Sequence, residues 1–209
     1  MVTQLDLKQI ERKAFRSTYE DGLWDIYYGL IVVCMSIFIY RPETGYSPMN
    51  IFLSTLMITL SYALFWAAKK YITVPRMGQV RFGPERKQKA KRLAIILGVF
   101  VLFQVVLVGL TALGWLNNTL TKFDAGLLVV ALIGSSIVGT SMIVVAYYSD
   151  FPRGYYIAIM MALAVFLMIY TNQPIYAILI GTLIIIPGVV LLVRFLKKYP
   201  RPDGTGSHE

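Results

Sequence analysis

Two carboxylates four residues apart, Asp21 and Asp25, open the first long apolar run, in the stretch Glu20, Asp21, Gly22, Leu23, Trp24, Asp25. On a helix that spacing puts both on one face. Acidic groups at the mouth of a membrane span need a partner. A cation would serve, and so would guanidinium groups from the same side of the membrane. The second reading is an interfacial helix start, with Asp at the positive end of the dipole and Trp24, Tyr27 and Tyr28 as an aromatic belt. A salt bridge from Asp21 or Asp25 to Arg76 or Arg81 would belong to that structural reading.

The basic residues that could answer these acids lie in the stretch 73–92. Its first half is more than a run of charge. Pro75, Gly78, Gly83 and Pro84 punctuate it, and Val80 and Phe82 alternate with Gln79 and Arg81. The pattern predicts a short ordered turn or hairpin. Arg76, Arg81 and Arg86, with Gly78 between them, then form a candidate ligand-binding set, because a guanidinium fork grips an oxyanion through two hydrogen bonds. The competing reading is a topology anchor that touches headgroups without selectivity.

Inside the apolar runs the polar inventory is thin. Gln104, Thr55, Thr59, Ser135 and Thr140 are the candidates for a polar path between the second, third and fourth runs. As hydrogen-bonding glue between helices, each would contribute roughly 0.6–2 kcal/mol. Ala131, Ser135 and Gly139 form a small-residue ladder that allows close helix approach, within the chain or between two copies.

Several chemistries lack their residues. The chain has one cysteine, Cys34, and one histidine, His208, so no metal-ligand cluster, haem ligation or histidine-activated nucleophile is expected. No phosphate-binding glycine loop or dinucleotide fingerprint is present. Asp21 and Asp25 resemble the start of the CDP-alcohol phosphotransferase motif, but its later residues do not follow. The reading is therefore of a non-enzymatic protein without cofactors, and a lipid-headgroup enzyme would need those two aspartates to hold a metal.

The elements that must position these residues follow from composition. Apolar residues make up 57% of the 209 and charged residues 15%. A soluble domain of this size lacks the interior to hide so much apolar surface. Apolar runs of membrane-spanning length cover about 22–40, 50–72, 93–116, 125–148, 154–170 and 174–196. They are apolar all round and show no period-two alternation, so helices are expected and strands are not. The predicted fold is an all-α integral membrane protein, six transmembrane helices in three hairpins across residues 22–199. An interfacial amphipathic helix within residues 1–21 precedes them, and a tail, 200–209, follows. Pro187 with Gly188 is expected to bend the last span.

All 20 Lys and Arg except Arg41 and Lys122 fall in the N-terminal segment, in residues 69–92, in the fourth connection or in residues 194–201. The positive-inside rule places these segments, and both termini, in the cytoplasm of a cell-membrane protein. It also accounts for the net charge of +9 without nucleic acid. The first twenty residues are charged throughout, so no cleavable signal peptide is expected.

Asp21, Gly22, Leu23, Trp24 and Asp25 with Gly29 and Leu30, taken with Pro75, Arg76, Gly78, Val80 and Phe82, resemble a pattern in small prokaryotic membrane proteins. The likeness covers about the first 90 residues and attaches no activity. It implies that the two segments act together at the cytoplasmic face. Size and span count are also similar to the substrate-binding subunits of energy-coupling-factor vitamin transporters, although the first span lacks their Ala-xxx-Ala motif. Two functions are thus expected. The first is binding of anionic lipid, or of a partner membrane protein or second copy, through the basic loop. The alternative is passage of a small solute along the Gln104 path.

Overall fold

The computed structural model describes residues 17–39, 48–77, 84–112 and 126–200. The amphipathic helix expected at the N-terminus, up to residue 16, the turn expected at Gly78 and Arg81, and the tail beyond 200 lie outside the described residues. Among those described, the chain is helical without strands. The helices are α1 (Leu23–Ile39), α2 (Pro48–Ala68), a π-helical turn (Lys69–Thr73) running into α3 (Val74–Met77), α4 (Pro84–Ala112), α5 (Gly126–Tyr148), α6 (Arg153–Thr171) and α7 (Ile175–Lys198). Among the described residues four stretches are long and apolar enough to cross a membrane, Met49–Met77, Leu127–Tyr148, Arg153–Thr171 and Ile175–Lys198, which points to a membrane-embedded protein.

The basic stretch is largely helical. Pro84 opens α4, which runs on through Arg86, Lys87, Lys89, Lys91 and Arg92 into the apolar part of the third run. Lys, Arg, Gln and Ala are good helix formers, and proline fits the first helical turn. The connections use residues that tolerate a left-handed backbone. Asp150 (φ 48°) turns α5 into α6, and Asn172 (φ 55°) caps α6 ahead of α7.

Two helix pairs carry most of the packing. α5 lies against α6, and α1 against α7. Lipid tails are as apolar as leucine, so helices in a bilayer associate by close approach of small residues and not by expelling water. The ladder of α5 serves the first pair. Ala131, Ser135 and Gly139 are buried, and a Cβ on Gly139 would stand 3.0 Å from the Ala162 Cβ. The ladder is therefore occupied within one chain.

The second pair rests on glycines. A Cβ on Gly22 would lie 2.3 Å from the Gly188 carbonyl oxygen, and one on Gly29 would lie 2.8 Å from the Gly181 oxygen. Gly181 and Gly188, seven residues apart, lie on one face of α7 about two turns apart, and Gly22, just before α1, and Gly29 have the same spacing. The first glycine of one helix meets the last of the other, so α1 and α7 run antiparallel. Through Pro187, α7 remains helical.

The core lies between these pairs, with Val32, Met142, Phe151, Ile157, Met161, Ile180 and Ile184 all buried. By contrast, α2 packs mainly on α1, and α4 only lightly on α5. Every residue from Val101 to Val106 on α4 is exposed. Six consecutive helical residues cover the whole circumference, so this part of α4 is buried on no side.

Candidate functional site: a polar layer at one end of the bundle

The starts of α1, α4 and α6 meet the ends of the α2–α3 helix, α5 and α7 at one end of the molecule, joined by charged side chains. Its centre is Asp21, which is fully buried. Gly22 (φ 72°) turns the chain so that α1 begins only at Leu23. Asp21 thus precedes the helix, and its Oδ1 accepts the Leu23 N–H at 3.2 Å. Its Oδ2 accepts Lys69 Nζ at 2.6 Å and Thr73 Oγ1 at 2.7 Å. Lys69 also donates to the Thr18 carbonyl at 2.6 Å.

The π turn supplies these two donors. Its backbone closes with the Val74 N–H on the Lys69 carbonyl, five residues back, and Lys69 and Thr73 reach the same carboxylate oxygen. Widened turns of this kind often mark functional positions.

Asp25, in the first turn of α1, is also buried but takes another partner. Arg153, at the start of α6, places Nη2 3.4 Å from Asp25 Oδ2 and donates through the same nitrogen to the Tyr19 carbonyl. Asp25 Oδ2 and Arg153 Nη1 are buried without a hydrogen-bond partner among the described residues. The third acid, Asp150, accepts Arg86 Nη1 at 2.7 Å, and both side chains are nearly buried. Tyr19 stacks on Phe151 and Trp24 between these pairs. Burial pushes its phenol above the ordinary range, against the pull of the Ser149 hydroxyl and the Arg86 guanidinium.

The residues nominated from sequence are therefore dispersed. Asp21 and Asp25 sit at the same end but hold separate partners, Lys69 and Arg153. Arg76 lies on α3, where its Nη1 donates to the Ile72 carbonyl at 3.0 Å. Arg86 is held by Asp150. Trp24 and Tyr27 pack on Phe65 of α2, with ring centroids 4.6 and 4.9 Å apart. Of the polar-path residues, Thr55 and Thr59 are exposed and donate to carbonyls of their own helix. Ser135 is buried and donates to Leu132, while Thr140 and Gln104 are exposed. α2 makes no substantial contact with α4 or α5, so these side chains stand on separate surfaces.

Lys69, Thr73, Arg153, Asp150 and the four seam glycines were not singled out by sequence reasoning as parts of one site. The paired seven-residue glycine spacings in the first and last runs are the signal that could have found the seam.

The polar layer can hold charge in place and can present the cations left over. Among the described residues no group of three His, Cys, Asp or Glu side chains gathers as for a metal ion. The oxygens of Asp21 are directed at a lysine, a threonine and a backbone N–H. Comparison with protein-family models, curated proteins and solved structures found no match. The likeness of the first 90 residues to small prokaryotic membrane proteins thus rests on the residues quoted for it alone.

Proposed function

We propose that the chain is a six-helix membrane protein with cytoplasmic termini that acts without catalysis, holding anionic phospholipid at its basic cytoplasmic end. The observation that carries this reading is the division of charge at the polar end. Asp21, Asp25 and Asp150 are each matched to a base, whereas Lys87, Lys89, Lys91, Arg92, Arg194 and Lys198 are exposed and form no ion pair among the described residues. Surplus cations on the flank of apolar helices attract anionic headgroups. In this reading Gly78 and Arg81 belong with Arg76 and the exposed bases of α4 to the headgroup-binding set. Arg86 then supports that surface from behind through Asp150. A partner protein with an acidic face is the competing occupant.

The test is lipid selection by the intact protein in nanodiscs of phosphatidylcholine with a minority of phosphatidylglycerol. Wild type is expected to retain phosphatidylglycerol in native mass spectra. Replacing Lys87, Lys89, Lys91 and Arg92 with glutamine should lower that enrichment about tenfold or more, since each base contributes roughly 1 kcal/mol at an anionic surface. Equal retention of both lipids by wild type, or stoichiometric retention of another chain in their place, would reject the lipid reading.

A further inference from the structure

A cleft of about 380 Å³ opens at the polar end between the segment before α1, the start of α6 and the last turns of α7. Arg153, Arg194 and Lys198 line it with Glu20, Leu191, Phe195 and Tyr199. Arg194 and Lys198 are four residues apart on α7, so they share a face with Leu191 and Phe195 one turn earlier. We infer that this cleft is a discrete site for a single phosphate diester, the headgroup phosphate of one phospholipid. The inference rests on the lipid-binding reading above and gives it a particular site.

Three features support the assignment. Arg153 is fixed by Asp25 and the Tyr19 carbonyl through Nη2, while its Nη1 is buried with no hydrogen-bond partner among the described residues. The Arg153 side chain is 34% exposed and lines the cleft, so its positive charge faces a phosphate bound there. Next, Arg194 and Lys198 are exposed and form no ion pair among the described residues, so their donors are available to a ligand. Finally, Leu191 and the buried Phe195 give the cleft an apolar wall where α7 leaves the apolar layer. A soluble anion makes no use of such a wall, whereas the glycerol and first methylenes of a lipid do. Glu20 sets a limit on charge. With Arg153 already matched to Asp25, Glu20 leaves about one net positive charge in the cleft, which suits a single phosphate diester and repels a headgroup with several.

The experiment uses full-length protein in the same mixed nanodiscs, with native mass spectrometry counting the lipid that survives partial delipidation. Wild type is expected to keep one phosphatidylglycerol tightly. The R194Q/K198Q variant should lose it about tenfold more readily. Its fold should be unaffected, because both side chains are exposed, and an unchanged melting temperature checks this. The α4 glutamine variant should keep that one lipid while losing the others. If R194Q/K198Q keeps it as wild type does while the α4 variant loses its lipid, the cleft assignment fails and the broader reading stands. If neither variant loses lipid, both fail. Displacement by inorganic phosphate as readily as by added phosphatidylglycerol would identify a soluble phosphate site and overturn the lipid assignment.

Discussion

Gly22→Ala is expected to melt well below wild type in detergent, because among the described glycines its added methyl makes the closest approach to backbone. The added Cβ would stand 2.3 Å from the Gly188 carbonyl oxygen and 2.8 Å from the Leu191 Cβ. The carbonyl belongs to the backbone of α7 and cannot rotate away as a side chain could. Gly22 also holds φ at 72°, a conformation that disfavours a residue with a Cβ by roughly 1–3 kcal/mol. Forcing α1 and α7 apart adds about 1–3 kcal/mol more. Gly98 provides the control, since a Cβ there meets nothing within 4 Å and no positive φ is required. Gly98→Ala should be neutral or stabilising by up to about 1 kcal/mol. Thermal unfolding followed by size exclusion separates the two. If Gly22→Ala melts with wild type, the glycine seam does not hold α1 to α7.

The seam matters beyond stability because it sets the height of the polar layer. A Cβ on Gly188 would lie 2.9 Å from the Asp25 Cβ, so the last crossing of the two helices abuts the carboxylate that Arg153 holds. Leu191, three residues further along α7, already lines the cleft. Close packing and the charged end are therefore one construction, and a shift of α7 would carry Arg194 and Lys198 with it.

The sequence shows these parts unevenly, for physical reasons. Apolar runs of about twenty residues are a property of local composition, and each of the six contains a helix. Asp21 and Asp25 also stand out locally, because acids beside an apolar run are rare. Their partners do not. Lys69 is one of nine bases between residues 69 and 92, and only the π turn, which sets its direction, distinguishes it from Lys70. Arg153 sits alone in a short connection, and nothing near it in sequence refers to Asp25. The ladder of α5 was visible, but a pattern of small residues does not say which helix it meets. That choice depends on the turn at Asp150, which brings α6 directly back onto it. Gln104 shows the reverse: a lone polar residue in an apolar run draws notice, yet it lies exposed on α4.

Lys69→Met should destabilise the protein more than Asp21→Asn, although both remove the same ion pair. Asp21 is fully buried, whereas the Lys69 side chain is 20% exposed. Taking away the lysine strands a carboxylate that retains only Thr73 and the Leu23 N–H, and removing one partner of a buried pair typically destabilises by about 3–5 kcal/mol. Taking away the charge of Asp21 leaves an amide of the same shape, whose oxygen can still accept from Thr73. Lys69 then keeps the Thr18 carbonyl and a route to water, so the expected loss is smaller, about 1–3 kcal/mol. The double variant should be more stable than Lys69→Met alone, because the stranded charge is gone. Melting temperatures of the three variants decide the point. Equal losses in the two single variants would mean that burial of Asp21 does not govern the pair. A double variant no better than Lys69→Met would mean that Lys69 acts through its contact with Thr18 and not through the carboxylate.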